Sequence, residues 1–503
     1  MNKTISFCIF ALFISTNVYS YTWTRTLGGA GNDCGYSICF SRDSGYVLAG
    51  YTESQGAGMT DGWLIKTDTF GIPIWNKTFG GTDSDFIYSV TKTMDSGYIM
   101  TGYTKSFGSG ESDVWIIKTD ANGDTIWTRT YGDSNNECAY SIINAIDSGY
   151  VAIGTRNSGK YAWLLKVNTN GDTLWTKTFQ SYGCGRCVQA IYDTYYNGYI
   201  ITGYSDSLVY AKTASWLIRT DANGDTLWTK AFGTYNCRLY SVSQTKDSRY
   251  VMTGTYSYTD NALWVVEADL SGNEIPNYTA WGIIGTGYSI AETNSGDCII
   301  VGSGNTATYV PDPWYNEYTN AFEGCYADSD GAIIVKTNTD YGDYGDRLGY
   351  FGGKYANGAY SFLQTPDGAY IMLGYTDSYG EGKRDLWLIR TEENKWEGRP
   401  PAIEENSSDK NSFPTICVSP NPFINSTTIS FTVPSITLTT DHCPLVTVRL
   451  YDISGREKMR LFEGNIKTKN TLTLNTSSLT SGKYFLKMEA DGKKIIKGIT
   501  IVK

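Results

Sequence analysis

Residues 113–130 read DVWIIKTDANGDTIWTRT, and the fold follows from this stretch. Val114-Trp115-Ile116-Ile117-Lys118 is a short apolar run of strand length. Asp120-Ala121-Asn122-Gly123-Asp124 is a turn, because Asn-Gly tolerates the positive φ of a tight hairpin. In residues 125–130, Ile126, Thr128 and Thr130 face one way, and Trp127 and Arg129 the other, which is the period of a second strand. Upstream, Tyr88-Ser89-Val90 opens a strand and Asp95-Ser96-Gly97 makes a turn. Tyr98-Ile99-Met100 then carries a strand that ends at Gly102-Tyr103-Thr104. The unit is four antiparallel strands, a to d.

The unit recurs along the chain. Tyr36-Ser37, Tyr88-Ser89, Tyr140-Ser141, Tyr240-Ser241, Tyr288-Ser289 and Tyr360-Ser361 each open a copy, with a degenerate copy around Val188-Gln189. Trp63, Trp115, Trp163, Trp216, Trp264 and Trp387 mark strand c, and Ile333-Ile334-Val335 stands where the tryptophan is replaced. Both anchors count seven units of about fifty residues, the arithmetic of propeller blades. The seventh unit stops after strand c. The orphan segment from Thr22 to Gly29 matches the strand d of residues 74–81, so it is expected to complete the last blade and close the ring. The repeats resemble the tandem propeller repeats of exported bacterial proteins over about residues 21–396. That resemblance specifies fold and not function.

Composition and chain ends narrow the setting. Lys+Arg number 41 against 51 Asp+Glu, a net charge of -10, which disfavours nucleic acid as a partner. Lys3 followed by the apolar run of residues 5–14 reads as a signal peptide over residues 1–20, cleaved near Ser20. No later segment is apolar enough to span a bilayer. Export permits disulfides, and Cys417 with Cys443 is a candidate pair. Cys184 and Cys187 form a lone CxxC, expected to bond locally or to neighbouring-blade cysteines such as Cys138 or Cys237.

After Trp396 the pattern changes. Residues 397–414 read as a linker, and residues 415–503 as a small antiparallel, immunoglobulin-like β-sandwich. SPNPF at residues 419–423, LYDISGR at 450–456 and LTSGKYFLK at 479–487 resemble the type A C-terminal sorting domain of the type IX (Por) secretion system. The motif residues are Pro420, Asn421, Pro422, Asp452, Gly455, Arg456, Gly482 and Tyr484. An insertion around residues 440–443 departs from the pattern, and the flagellar hook-cap sandwich shares several of these motifs. The resemblance implies engagement of the type IX machinery and export across both membranes to the cell surface or the extracellular space.

No coherent catalytic set, metal site or cofactor emerges. His442 is the only histidine, so no Ser-His-Asp arrangement can form. The Asp-x-Asn-Gly-Asp turns lack the glycine and glutamate positions of an EF-type loop and are read as structural. Acidic Asp83, Asp85, Asp133 and Glu137 recur in d–a loops, where paired carboxylates could do glycoside chemistry or simply solvate the loop. The largest departure from the repeat is an insertion in the sixth unit, residues 303–330. Its Trp314, Tyr315, Tyr318, Phe322 and Tyr326 are the candidate ligand-binding residues. The resulting expectation is a non-catalytic exported propeller that binds a glycan, peptide or protein through its loop face. The alternatives are an extracellular polysaccharide hydrolase or lyase, and a structural or adhesive surface protein.

Overall fold

The computed structural model describes residues 22–180, 183–191, 197–207, 212–233, 236–257, 261–275, 284–305, 330–337, 347–392, 415–419, 426–432, 445–452, 456–465, 469–475, 479–490 and 493–501. The chain divides into two compact units, Met1–Pro400 and Pro401–Lys503.

The first unit is a β-propeller. Its blade 2 runs Asp85–Lys92, Tyr98–Thr104, Asp113–Thr119 and Thr125–Tyr131, each strand antiparallel to the next. Strands b and c are buried along nearly their whole length, which is why they read as unbroken apolar runs. Strand d has no fully buried residue and is the outer edge. Gly123 takes φ 80 in the c–d turn, as its Asn-Gly allows, whereas in the a–b turn Ser96 takes φ 71 in place of the neighbouring Gly97.

Five groups in this unit form four-stranded sheets. A sixth sheet has seven strands, made of Cys237–Gln244, Tyr250–Ser257 and Asn261–Ala268 joined to the next group through the single pair Ala262↔Ile284. That blade therefore shows three strands among the described residues, where four were expected.

The ring closes as the repeat count requires. Trp23–Leu27 pairs antiparallel with Asp385–Thr391, in register Trp23↔Arg390 and Thr26↔Trp387. The apolar cores lie between blades. Ile371, Leu373, Leu386 and Leu388 of the last blade pack on Ile38, Tyr46, Leu48 and Trp63 of the first. Outer strands that carry a tryptophan are also fastened to the following blade. A Cβ on Gly123 would lie 2.7 Å from the Trp75 ring, one on Gly224 2.7 Å from Trp175, and one on Gly272 2.6 Å from Trp228. Only glycine lets the preceding blade's tryptophan sit down on the turn. Lys77 adds an ion pair to Asp124 at 2.8 Å, and Lys177 one to Asp225 at 2.6 Å. The repeated tryptophans are thus inter-blade packing.

The second unit is a two-sheet sandwich. Thr415–Ser419, Ser426–Thr432 and Lys469–Asn475 form one sheet. Glu457–Asn465, Leu445–Asp452, Gly482–Ala490 and Lys493–Ile501 form the other, in that order. Ile429, Phe431, Val448, Leu450, Leu474, Leu486 and Ile499 fill the space between them.

Candidate functional site at the propeller axis

In blade 2 the a–b pairing slips between Ile87 and Ser89, so Tyr88 is a β-bulge. The same slip occurs at Tyr36, Tyr140, Arg186, Tyr240, Tyr288 and Tyr360. A bulge leaves one residue unpaired and re-aims its side chain. Here it also presses strand a onto strand b: a Cβ on Gly102 would lie 1.9 Å from the Phe86 carbonyl oxygen, which accounts for the glycine of each Gly-Tyr-Thr motif.

The seven bulged residues meet in a closed circle. Ring centroids are 5.0 Å apart for Tyr36–Tyr88, 5.3 Å for Tyr88–Tyr140, 5.5 Å for Tyr240–Tyr288, 4.8 Å for Tyr288–Tyr360 and 5.0 Å for Tyr360–Tyr36. The remaining gap is bridged by Arg186, whose guanidinium lies 4.3 Å from the Tyr140 ring and 5.1 Å from the Tyr240 ring. Seven neighbours spaced about 5 Å put the ring centres about 6 Å from the axis. All seven are half-buried.

Burial pushes the phenols of Tyr36, Tyr88, Tyr288 and Tyr360 well above the ordinary tyrosine range, and the Cys138 thiol together with burial does the same to Tyr140. These hydroxyls are neutral donors at any physiological pH. The rings of Tyr140, Tyr240 and Tyr204 face the Arg186 guanidinium, a cation–π contact that favours its charged form.

The acidic residues of the d–a loops are committed to backbone. Asp85 accepts hydrogen bonds from the Gly81 amide at 2.9 Å, the Ser106 hydroxyl at 2.6 Å and the Lys105 amide at 3.1 Å. Glu137 accepts from the Asp133 and Asn157 amides, both at 3.1 Å. Asp133 accepts from the Asn135 amide at 2.9 Å and pairs with Arg156 at 2.9 Å. Asp83 accepts from the Ser84 amide at 2.8 Å. Buried Asp113, at the head of a strand c, holds the Ser109 and Gly110 amides at 2.8 and 3.0 Å. Bridges such as Thr60↔Ser84 and Ser112↔Asn136 tie the b–c loops to the d–a loops, so both share one face. The carboxylates shape that face by folding its loops. The c–d turn carboxylates are spent in the same way: Asp120 accepts the Asn122 and Asp124 amides at 2.8 and 2.9 Å.

In the CxxC, Cys184 Sγ sits 3.9 Å from the Gly185 carbonyl oxygen, and Cys187 Sγ sits 3.9 Å from Val242 O in the next blade. Burial raises the Cys187 thiol, which makes it a poor nucleophile.

Trp314, Tyr315, Tyr318, Phe322 and Tyr326 lie outside the described residues, as do the signal segment, Cys443, Pro420, Asn421, Pro422 and Gly455. Cys417 lies in the strand Thr415–Ser419. In the C-terminal unit Asp452 accepts the Arg456 amide at 3.1 Å and closes the turn of the LYDISGR motif. Tyr484 pairs across from Asp452, and its hydroxyl donates to Thr480 O at 3.0 Å. Gly482 has φ 152.

The architecture is thus an all-β propeller followed by a sandwich, and residues 418–502 match the family model described as a secretion system C-terminal sorting domain. The chain carries a type IX secretion tail, which supports a secreted protein delivered to the cell surface or the extracellular space. No helix of the described residues is long and apolar enough to cross a membrane. No curated protein sequence matches the chain. Among solved structures, it is similar to Sqt1 of Chaetomium thermophilum, with 10% identity, TM-score 0.40, 72% of this chain and 96% of that one covered. It is similar to a puromycin hydrolase, with 10% identity, TM-score 0.46, and coverage of 83% and 64%. It is similar to the plexin A4 extracellular region, with 7% identity, TM-score 0.43, and coverage of 95% and 61%.

Proposed function

We propose that this is an exported, non-catalytic, seven-bladed propeller that binds a glycan, peptide or protein through the face made by its b–c and d–a loops. The supporting observation is the axial ring, where six tyrosines on bulged strands bring aromatic rings and hydroxyls together in a frame held by neighbouring blades. The insertion of residues 303–330 is the b–c connection of the sixth blade. The strands that flank it end and begin on that same face, and Trp314, Tyr315, Tyr318, Phe322 and Tyr326 are the residues of its sequence suited to meet a ligand. Residues 21–396 constitute the propeller and 397–414 a linker. Residues 415–503 engage the type IX machinery after the signal of residues 1–20 has directed export.

Array binding of the full chain to glycans and peptides, beside a variant lacking residues 306–329, tests the reading. Binding that weakens on deletion is expected. Binding untouched by the deletion would move the site off the insertion, and no binding on any array would overturn the reading.

A further inference from the structure

Arg186 is the axial side chain that the repeat does not account for. Its guanidinium rests on three tyrosine rings, at 4.3 Å from Tyr140, 5.1 Å from Tyr240 and 5.7 Å from Tyr204. Among the described residues no carboxylate lies within ion-pairing distance of it, and its Nε is buried with no hydrogen-bond acceptor. Two other arginines stacked on aromatic rings are held by carboxylates. Arg384 lies 4.0 Å from the Tyr375 ring and is held by Asp377 through two bonds of 2.7 and 2.9 Å. Arg156, over Trp163, pairs with Asp133.

Blades 4 to 6 also lack the acid that blades 1 to 3 carry three residues before the bulge: Asp33, Asp85 and Glu137 stand there in the first three, and Gly183, Cys237 and Gly285 in the next three. An enclosed guanidinium is charged at every pH the protein meets, and without an internal counter-charge it calls for an external one.

The geometry points to an oxyanion site at the propeller axis, where Arg186 takes the carboxylate of a small acidic ligand and Tyr140 and Tyr240 pack against the ligand's body. The planar fork of a guanidinium matches a carboxylate in two parallel hydrogen bonds. Strand a starts at the loop face, and Arg186 is the fourth residue of Gly183–Ile191, about 10 Å inward, so the ligand enters from that face. The carboxylate comes either from a free small acid or from a uronic acid at a glycan end. This inference rests on the binding reading above and names the chemistry that the axis selects.

The test is calorimetric titration of the full chain with acetate, sulfate, glucuronate and glucose, beside Arg186→Tyr and Arg186→Lys. Arg186→Tyr restores the residue that the other six blades use, so it removes the charge while keeping the ring. Glucuronate is expected to bind the wild type at least about tenfold more tightly than glucose does, and Arg186→Tyr to lose at least about tenfold of that affinity. Arg186→Lys, which keeps the charge without the fork, should fall between them, and it carries the test if Arg186→Tyr does not fold. Glucuronate tighter than acetate assigns the carboxylate to a sugar, and equal affinities assign a free acid. Sulfate binding more tightly than either, glucose matching glucuronate, or Arg186 variants that bind as the wild type does would each overturn the inference. If no anion binds but array ligands do, the inference falls and the binding reading stands. If neither binds, both fall.

Discussion

Blade 2 and blade 4 share their strand order, their bulge and their fastening to the next blade, yet the bulged residue is Tyr88 in one and Arg186 in the other. In blade 2 the axial tyrosine closes a ring of like neighbours, and the head of strand a carries Asp85, which folds the loop above it. In blade 4 the axial residue is a cation and the head of strand a is Gly183. Features shared by the two blades build the ring. Features that differ have no part in building it, which makes them the place to look for binding.

The broadest test of this comparison is alkaline unfolding. The axial phenols of Tyr36, Tyr88, Tyr140, Tyr288 and Tyr360 titrate above 10.0 when folded, and near 10.0 when unfolded. Their contribution to stability is therefore complete below about pH 10 and is lost as pH rises through the folded values. Denaturant midpoints should fall steeply above pH 10. The Arg186→Tyr variant, with one more axial phenol, should fall more steeply still.

Next in size is Tyr88→Arg, which gives blade 2 the residue of blade 4 and puts a second cation on the ring that already holds Arg186. It should cost about 3 kcal/mol in chemical denaturation, as burying an uncompensated charge does. A loss below about 1 kcal/mol would mean that the axis tolerates a cation anywhere. The shared fastening should behave alike in both blades. Gly123→Ala and Gly224→Ala each force a positive φ and a tryptophan clash, and should each cost about 2 kcal/mol. Unequal costs would show that blade 4 is fastened differently.

A smaller effect comes from the a–b turns. Lys118 pairs with Asp95 in blade 2, but in blade 5 the cation has changed strands, and Arg249 meets buried Glu267 at 2.6 Å. Glu267→Lys should lose about 1–2 kcal/mol, and Arg249→Gly in the same chain should recover most of it. The smallest effect is expected from the exposed pairs on the outer edge, where Lys77→Ala and Lys177→Ala should each cost under about 0.5 kcal/mol.

The sequence made the ring legible because its anchors serve the ring itself. Tyr-Ser and Trp recur at fixed offsets, so the seam between Trp23–Leu27 and the strand holding Trp387 could be deduced from a missing strand at one end and a spare one at the other. Arg186 was within reach but unread. Gly185-Arg186-Cys187 aligns with Gly35-Tyr36-Ser37, yet the break in the Tyr-Ser anchor registers only as degeneracy. Strand alternation does not say that a bulge turns this residue to the axis. The fate of the loop carboxylates was equally hidden. Whether Asp85 and Glu137 face a substrate or hold Gly81, Asp133 and Asn157 depends on amide positions that no residue pattern records.

The pairing of Trp23 with Arg390 also sets an order of events. The strand that completes the final blade is made before any of its partners, and it must wait, unpaired, until nearly the whole propeller has been synthesised and delivered. The ring therefore cannot lock early, because its closing contact joins residues far apart in the chain. A nick near either end of the propeller would open the same blade. The molecule consequently has a single latch, and whatever protects the N-terminal strand during transit protects the entire circle.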